Sequence, residues 1–286
     1  VDGVLKYDYK KFLLIPILFL AFSSSILVLK GIELGIDLAG GTLIQLEGLK
    51  EKPSESEIEG ILASHGVKSS QIRVVGKIGS PTYTVVILTK EDISEVETEL
   101  ISSLENKLKA EEVSTSGVGA EIGEYFFSQG KKAIVLAVSF MALVIFILFR
   151  YPVISMSMIL AVLMDGIDAL GLMALAGMEL SLSSIAALLM VIGYSVDSNI
   201  LLTTSVIKRR GGKPQDRVVK AMRTGLKMTT TTLIALLVLL FLFQGERIIS
   251  GIATVLLFGL VSDLINTWLF NAGVILFLVE RRWIKA

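Results

Sequence analysis

The chain has 286 residues, 53% of them hydrophobic and 19% charged, with 27 Lys and Arg balanced by 27 Asp and Glu. Its mean hydropathy is +0.73. Soluble domains average about 45–50% apolar and about 25% charged residues, so the sequence reads as an α-helical integral membrane protein. It has no cysteine and one histidine. That excludes disulfides, zinc–thiolate or multi-histidine metal sites and a cysteine nucleophile; His65 reads as a surface residue.

The first apolar run, Phe12 to Leu29, is bounded by Lys10, Lys11 and Lys30. As a helix it is about 27 Å long, enough to span a bilayer. It ends on Lys30 and not at a small-residue cleavage site, so it reads as an anchor and not as a cleaved signal. A hydrophilic stretch of residues 31–131 follows. Within it GIDLAGGT contains Gly35, Asp37, Gly40, Gly41 and Thr42. It lacks the Gly-Lys-Ser/Thr of a phosphate loop, and a tight turn from membrane into strand accounts for it. LIQLEGL alternates like a strand, and SESEIEGILASHG has helical spacing with acids in its first turn. QIRVVGKIG and TYTVVILTK read as strands around a turn at Gly79–Pro81, and Asp92 to Leu108 as a charged helix. The order β-α-β-β-α is most of a ferredoxin-like α+β sandwich. Ser114 to Gly130 reads as a link back to the membrane.

Five more apolar segments occupy 132–286: Ala133–Phe149, Val153–Gly177, Leu182–Val206, Met228–Phe243 and Ile252–Val279, giving six expected spans. Short loops carry their Lys and Arg on one side, which the positive-inside rule places in the cytoplasm. These are Lys6, Lys10, Lys11 and Arg150, then Lys208 to Lys227, then Arg281, Arg282 and Lys285. Both termini are thus expected in the cytoplasm and 31–131 outside. In the basic loop 207–227, RVVKAMRTGLK reads as a helix lying on the anionic inner leaflet, so membrane lipids are expected partners.

Acidic residues inside the spans are the main functional signal. Asp197 lies within the apolar run from Leu182, with Gly193 four residues earlier on the same face. Asp165 and Asp168 share the third span; Asp263 lies in the sixth, with Gly259 four residues before it and Asn266 and Thr267 one turn on. From the inner ends Asp165, Asp197 and Asp263 lie roughly 14 to 24 Å deep at helical rise. Four ionised aspartates facing lipid would cost about 10–14 kcal/mol on insertion scales, so they are expected to face inward. Gly193 and Gly259 are expected to let neighbouring helices approach, and Asn199 and Asn266 to join helices at the site. A cluster at one depth points to proton or cation movement, with Asp197, Asp165, Asp263, Asp168 and Lys227 as relay candidates. The hydrophilic domain shows no catalytic constellation.

GIDLAGGT after the first span, IGYSVDSNILL (Ile192–Leu202) in the fourth and LKMTTTTLIALLVLL (Leu226–Leu240) opening the fifth together resemble the SecF family of protein-export membrane subunits, of the archaeal kind. The resemblance covers the whole layout. It implies a non-enzymatic half-transporter of the resistance-nodulation-division superfamily, without cofactor or metal, in the cytoplasmic membrane. Its implied partners are a SecD-like subunit, the Sec translocation channel and a translocating polypeptide, with no nucleic acid. Asp197 matches the family's fourth-span aspartate and Asp165 its third-span aspartate, while Lys227 stands near a fifth-span arginine. Bacterial relatives read VNDT where this chain has VDSN. Two other readings compete: a small-molecule or ion exporter of the same superfamily, and an intramembrane aspartyl protease, for which the Gly-x-Gly-Asp motif is missing.

Overall fold

The computed structural model describes residues 13–67, 70–76, 82–89, 93, 96–208, 213–243 and 246–281. The expected turn at Gly79–Pro81, the helix start at Asp92, and Lys6, Lys10, Lys11, Arg209, Arg210, Arg282 and Lys285 lie outside these residues. The described residues are mostly helical, with one small sheet.

Helix α1 (Leu14–Lys30) is capped by Gly31 at φ 70°. A single helical turn, Ile36–Ala39, then leads into β1 (Gly41–Leu49). Helix α2 (Glu55–Ser64) starts where the Ser54 hydroxyl accepts from the Glu57 amide at 3.2 Å, a side-chain cap for one orphan helix donor. Strands β2 (Ser70–Gly76) and β3 (Tyr83–Thr89) follow, then helix α3 (Glu97–Leu108) and strand β4 (Glu112–Val118). The sheet order is β2-β3-β1-β4, every pair antiparallel. One sheet face carries Ile44, Leu46, Val85 and Ile87 into a core with Ile58 and Leu62 of α2 and Leu100 and Leu104 of α3.

Three expectations change here. Helix α3 begins at Glu97, because Ile93 is sunk into that core and Val96 is the non-helical residue before the helix. The segment read as a link is the fourth strand followed by helix, because β4 is an edge strand with exposed Ser and Thr that leave no apolar alternation in its sequence. His65 is half-buried: its Nδ1 lies 2.9 Å from the Ile61 carbonyl and its Nε2 3.2 Å from Ser103 Oγ, joining α2 to α3.

Helix α4 (Ala120–Phe149) runs unbroken across the expected boundary at 131/132. Arg150, at φ 55°, and Pro152, in the first turn of the next helix, turn the chain sharply into α5 (Pro152–Leu175). Helix α6 (Leu182–Ile207) begins at a Ser181 cap, and α7 spans Pro214–Leu242. Helix α8 (Arg247–Ile265) widens into one π turn, Asn266–Asn271, before α9 (Ala272–Glu280). Among the described residues five helices are long and apolar enough to cross a membrane: α4, α5, α6, α7 and the run Arg247–Glu280. Helix α1, with 17 residues, is the shorter apolar helix.

Helices α5, α6 and α8 pack on one another; α1 lies on α5, α4 on α5 and α6, and α7 on α8 and α6. Small residues set the closest approaches. A Cβ on Gly171 of α5 would lie 2.6 Å from Ser23 Cβ of α1, and one on Gly259 of α8 would lie 2.2 Å from Val191 of α6. The expected surface helix in 207–227 is instead the first half of α7. Its Val218, Ala221 and Met222 are buried against Leu202, Val206, Trp268 and Ile275. Gly225 lies so near the Trp268 ring that a Cβ would approach it to 2.1 Å. The apolar face assigned to the inner leaflet is therefore covered by protein; Lys220, Arg223 and Lys227 remain exposed on the opposite face.

Candidate functional site

The site is a buried file of polar side chains at the junction of α5, α6 and the π turn. Asp165 and Asp168 sit three residues apart on α5, on one helix face, and both are 0% exposed. The Asn266 amide donates to Asp165 Oδ1 at 2.8 Å and to Asp168 Oδ2 at 2.9 Å, so one amide bridges the pair. The Ser195 hydroxyl of α6 donates to Asp165 Oδ2. Asp263 Oδ1 accepts from the Thr267 hydroxyl at 2.6 Å, and Ser195 and Ser198 lie beside that carboxylate.

A second branch leads away along α5. The Ser157 hydroxyl donates to Asn271 Oδ1 at 2.9 Å, and Asn271 Nδ2 donates to Asn199 Oδ1 at 2.6 Å. Asn199 Nδ2 then donates to Thr267 Oγ1 at 2.9 Å, and Thr267 donates to Asp263. From Ser157 to Asp168 the file covers 11 residues of α5, about 16 Å at helical rise. The links from Asn271 through Asn199 and Thr267 each donate toward Asp263, so their dipoles align and reinforce one another; Ser157 also reaches the Ile154 carbonyl and Asn199 the Ser195 carbonyl. The π turn makes the geometry available: its wider winding leaves Asn266, Thr267 and Asn271 all buried and facing α5 or α6.

Of the relay candidates, Asp165, Asp168 and Asp263 lie close together, and Asn199 and Asn266 hydrogen-bond across helices beside them. Asp197 does not belong to the file. It is exposed, as is Gly193, and both border a shallow groove with Phe140, Met141, Val144 and Met190 on the outer surface of α4 and α6. Helical geometry requires this: at about 100° per residue, Asp197 is turned roughly 200° from Ser195 and Asn199, which occupy the inner face. Among the described residues nothing lies within 4 Å of a Cβ placed on Gly193, so none of the described helices uses it for close approach. Gly259 does seat a neighbour, Val191. Lys227 is exposed on α7, and among the described residues no Lys, Arg or His forms an ion pair with the three buried carboxylates.

Sequence reasoning missed Ser157, Ser195, Asn271 and Ser23, whose hydroxyl lies beside Asp168. The available signal was spacing: Ser195 with Asn199, and Asp263 with Thr267 and Asn271, recur every four residues on one face.

The glycine-rich stretch is structural. The Gly35 amide donates to the Leu180 carbonyl at 2.8 Å and the Leu180 amide to Glu33 at 2.7 Å, tying the start of the sheet domain to the α5–α6 loop. Gly40, at φ 77°, abuts the start of α4, where its Cβ would lie 2.6 Å from Ala120 Cα. Gly123 of α4 meets the same turn, its Cβ position 2.7 Å from the Gly40 amide nitrogen. Asp37 is in the first turn of Ile36–Ala39, and Gly41 and Thr42 open β1, where Thr42 pairs with Thr89 and Gly117.

Residues 98–281 match the C-terminal family of the protein export membrane proteins SecD/SecF, and residues 25–47 match the SecD/SecF GG motif. The protein-export membrane protein SecF of Methanocaldococcus jannaschii is 41% identical over 94% of this chain and 95% of its own. That of Pyrococcus furiosus is 36% identical over 99% and 98%. The crystal structure of SecDF, a translocon-associated membrane protein from Thermus thermophilus, superposes with a TM-score of 0.79 at 22% identity. That likeness is one of fold; it covers 96% of this chain and 38% of the solved one. With this near-complete match to the archaeal proteins, the chain belongs to the SecF family of protein-export membrane proteins.

Proposed function

We propose that this chain pairs with a SecD-like subunit and assists Sec-dependent translocation of polypeptides across the cytoplasmic membrane, driven by proton movement at intramembrane aspartates. One observation carries this reading: Asp197 stands exposed on an otherwise apolar helix face beside Phe140, Met190 and Tyr194. A carboxylate at that depth costs roughly 2.5–3.5 kcal/mol against lipid. A second membrane subunit covering the α4–α6 face would shield it and bring a partner for its charge. Asp197 is then a coupling group between subunits, and the Asp165–Asp168–Asp263 file is a separate internal element.

On this reading α1 is a sixth span and both termini are cytoplasmic. Arg150, Lys208, Lys213, Lys220, Arg223 and Lys227 support that orientation by lying at the end of the bundle away from the sheet domain. The sheet domain lies outside, where it would meet the Sec channel and the emerging polypeptide. Its all-antiparallel order β2-β3-β1-β4 supports a ferredoxin-like sandwich.

The test is Asp197→Asn in vesicles holding the chain, its SecD-like subunit and the Sec channel. Gradient-dependent stimulation of export is expected to vanish while the two subunits still co-purify. Stimulation equal to that of the parent would refute the reading.

A further inference from the structure

The sheet has one face in the domain core and a second face turned to the bundle. Val74, Val85 and Ile87 pack into the core; by strand alternation their neighbours Val75, Val86 and Leu88 take the other face. That face does not close on the bundle. Two cavities of about 280 Å³ each lie beneath it, with Arg73, Glu179 and Arg247 as their common wall. Together they reach the size of small-molecule sites, about 300–1,000 Å³. The two differ in charge. Asp37 and Glu246 border the first. Among the described residues the second is bordered by no acid but Glu179, and its roof is Val75, Val86 and Leu88.

The second cavity is built for an anion with an apolar body. Each guanidinium spends one nitrogen on Glu179, at 3.1 Å from Arg73 and 2.8 Å from Arg247, and among the described residues has no other partner. An arginine carries five donors. The side chains of Arg73 and Arg247 are 39% and 29% exposed, so donors remain open to the cleft. Two guanidiniums against one carboxylate leave one positive charge in excess, and a planar fork of free donors suits a phosphate. The floor shows where such a group comes from. Ser250, Gly251 and Thr254 belong to α8, so from Arg247 to Thr254 the cavity follows a membrane span for about 10 Å at helical rise. Ile248, in the first turn of that span, is 65% exposed. The cleft therefore opens where the span meets lipid, and basic pockets beside spans take lipid headgroups. A water-soluble phosphate would leave the apolar roof uncovered.

We infer that the cleft between the sheet and the start of α8 binds an acidic phospholipid, with its phosphate on Arg73 and Arg247 and one acyl chain between the Val75, Val86 and Leu88 roof and Gly251. The bound lipid fills the gap beneath the sheet. Asp37 and Glu246 repel an acid head from the first cavity and so direct it to the second. The site does not depend on the proposed export role: its test reads binding to the isolated chain, and a failure there leaves the Asp197 experiment untouched.

The experiment irradiates the purified full chain in neutral detergent with phosphatidylglycerol that carries a diazirine on its acyl chain, and locates the labelled peptides by mass spectrometry. Label is expected on Thr84–Leu88, which belongs to the sheet and not to a span, so bulk lipid does not account for it. It is expected to saturate, and to be displaced by unlabelled phosphatidylglycerol but not by glycerol phosphate. Gly251→Leu is expected to abolish it while the clamp stays intact. A Cβ on Gly251 has only Ser183 Oγ nearby, at 4.0 Å, so the new side chain grows into the cavity and the unfolding midpoint is expected to match the parent's. Arg247→Gln is expected to raise the half-saturating lipid concentration about tenfold, the worth of one charged hydrogen bond. Lys220→Gln, on the exposed basic face of α7, is expected to label like the parent. Absent or unsaturable label on Thr84–Leu88 would overturn the inference, as would Gly251→Leu or Arg247→Gln labelling like the parent. Displacement by glycerol phosphate as effective as by the lipid would overturn it in favour of a soluble phosphate.

Discussion

Asn199 shows what one side chain in the file contributes. Its amide donates to Thr267 and its carbonyl accepts from Asn271, so it joins α6 to both ends of the π turn. Asn199→Ala leaves Asn271 Nδ2 without that acceptor. Interhelical hydrogen bonds in membranes are worth about 0.6 kcal/mol on average and up to about 1.7. Two lost together predict a loss of about 1–3 kcal/mol, measurable as a lower midpoint in denaturing-detergent titration. Glycines divide by the space around them. Gly40→Ala meets both a positive φ and the Ala120 backbone, so it is expected to destabilise the junction of turn and α4 by more than about 2 kcal/mol. Gly60, in the exposed middle of α2, has nothing within 4 Å. Gly60→Ala is expected to stabilise the sheet domain by about 0.5–1 kcal/mol, with thermal unfolding as the readout for both.

At the scale of elements, the spans were legible because long apolar runs leave few alternatives, and the buried acids were legible because charge inside such a run stands out. What the sequence did not disclose was direction. Asp197 and Asn199 differ by two residues and point to opposite sides of α6, yet both sit in the same apolar run with a glycine nearby. Their rotation of about 200° assigns them to faces only once the inner face is known, and that face is set by where Val191 meets Gly259. The start of α7 was misassigned for a related reason: an amphipathic basic helix looks alike whether its apolar face meets lipid or Trp268. The π turn is likewise invisible in sequence, since the apolar pattern continues through it. Its contribution can be tested with Asn271→Ala, which removes the hydrogen bond to Asn199 and the acceptor of Ser157. The substitution is expected to lower the unfolding midpoint about as much as Asn199→Ala, and combining the two should cost less than the sum, because they share one hydrogen bond.

At the scale of the molecule, the sheet domain is held to the bundle by a charge clamp as well as by backbone. Glu179, in the loop between α5 and α6, is 8% exposed and accepts from Arg247 of α8 at 2.8 Å, with Arg73 of β2 at 3.1 Å. A cavity of about 280 Å³ lies beside it, bordered by Asp37, Gln45, Ser116 and Arg247, so the domain and bundle do not pack tightly throughout. Gln71 of β2 adds a bond to Glu33 at 2.7 Å, next to the backbone bridge of Gly35 with Leu180. The clamp is expected to fix the angle between domain and bundle. Removing Glu179 leaves two arginines without their shared carboxylate while the backbone bridge stays intact. The chain has no native cysteine, so spin labels at Glu59→Cys on α2 and Ala186→Cys on α6, both exposed positions, report the domain–bundle distance alone. The parent is expected to give one narrow distribution, and Glu179→Ala a broad one. Raising salt to about 1 M should broaden the parent only partly, because the Debye length falls to about 3 Å but Glu179 is shielded from solvent. An unchanged distribution in Glu179→Ala would mean that the Gly35 bridge and the Gly40–Gly123 contact set the angle without the clamp.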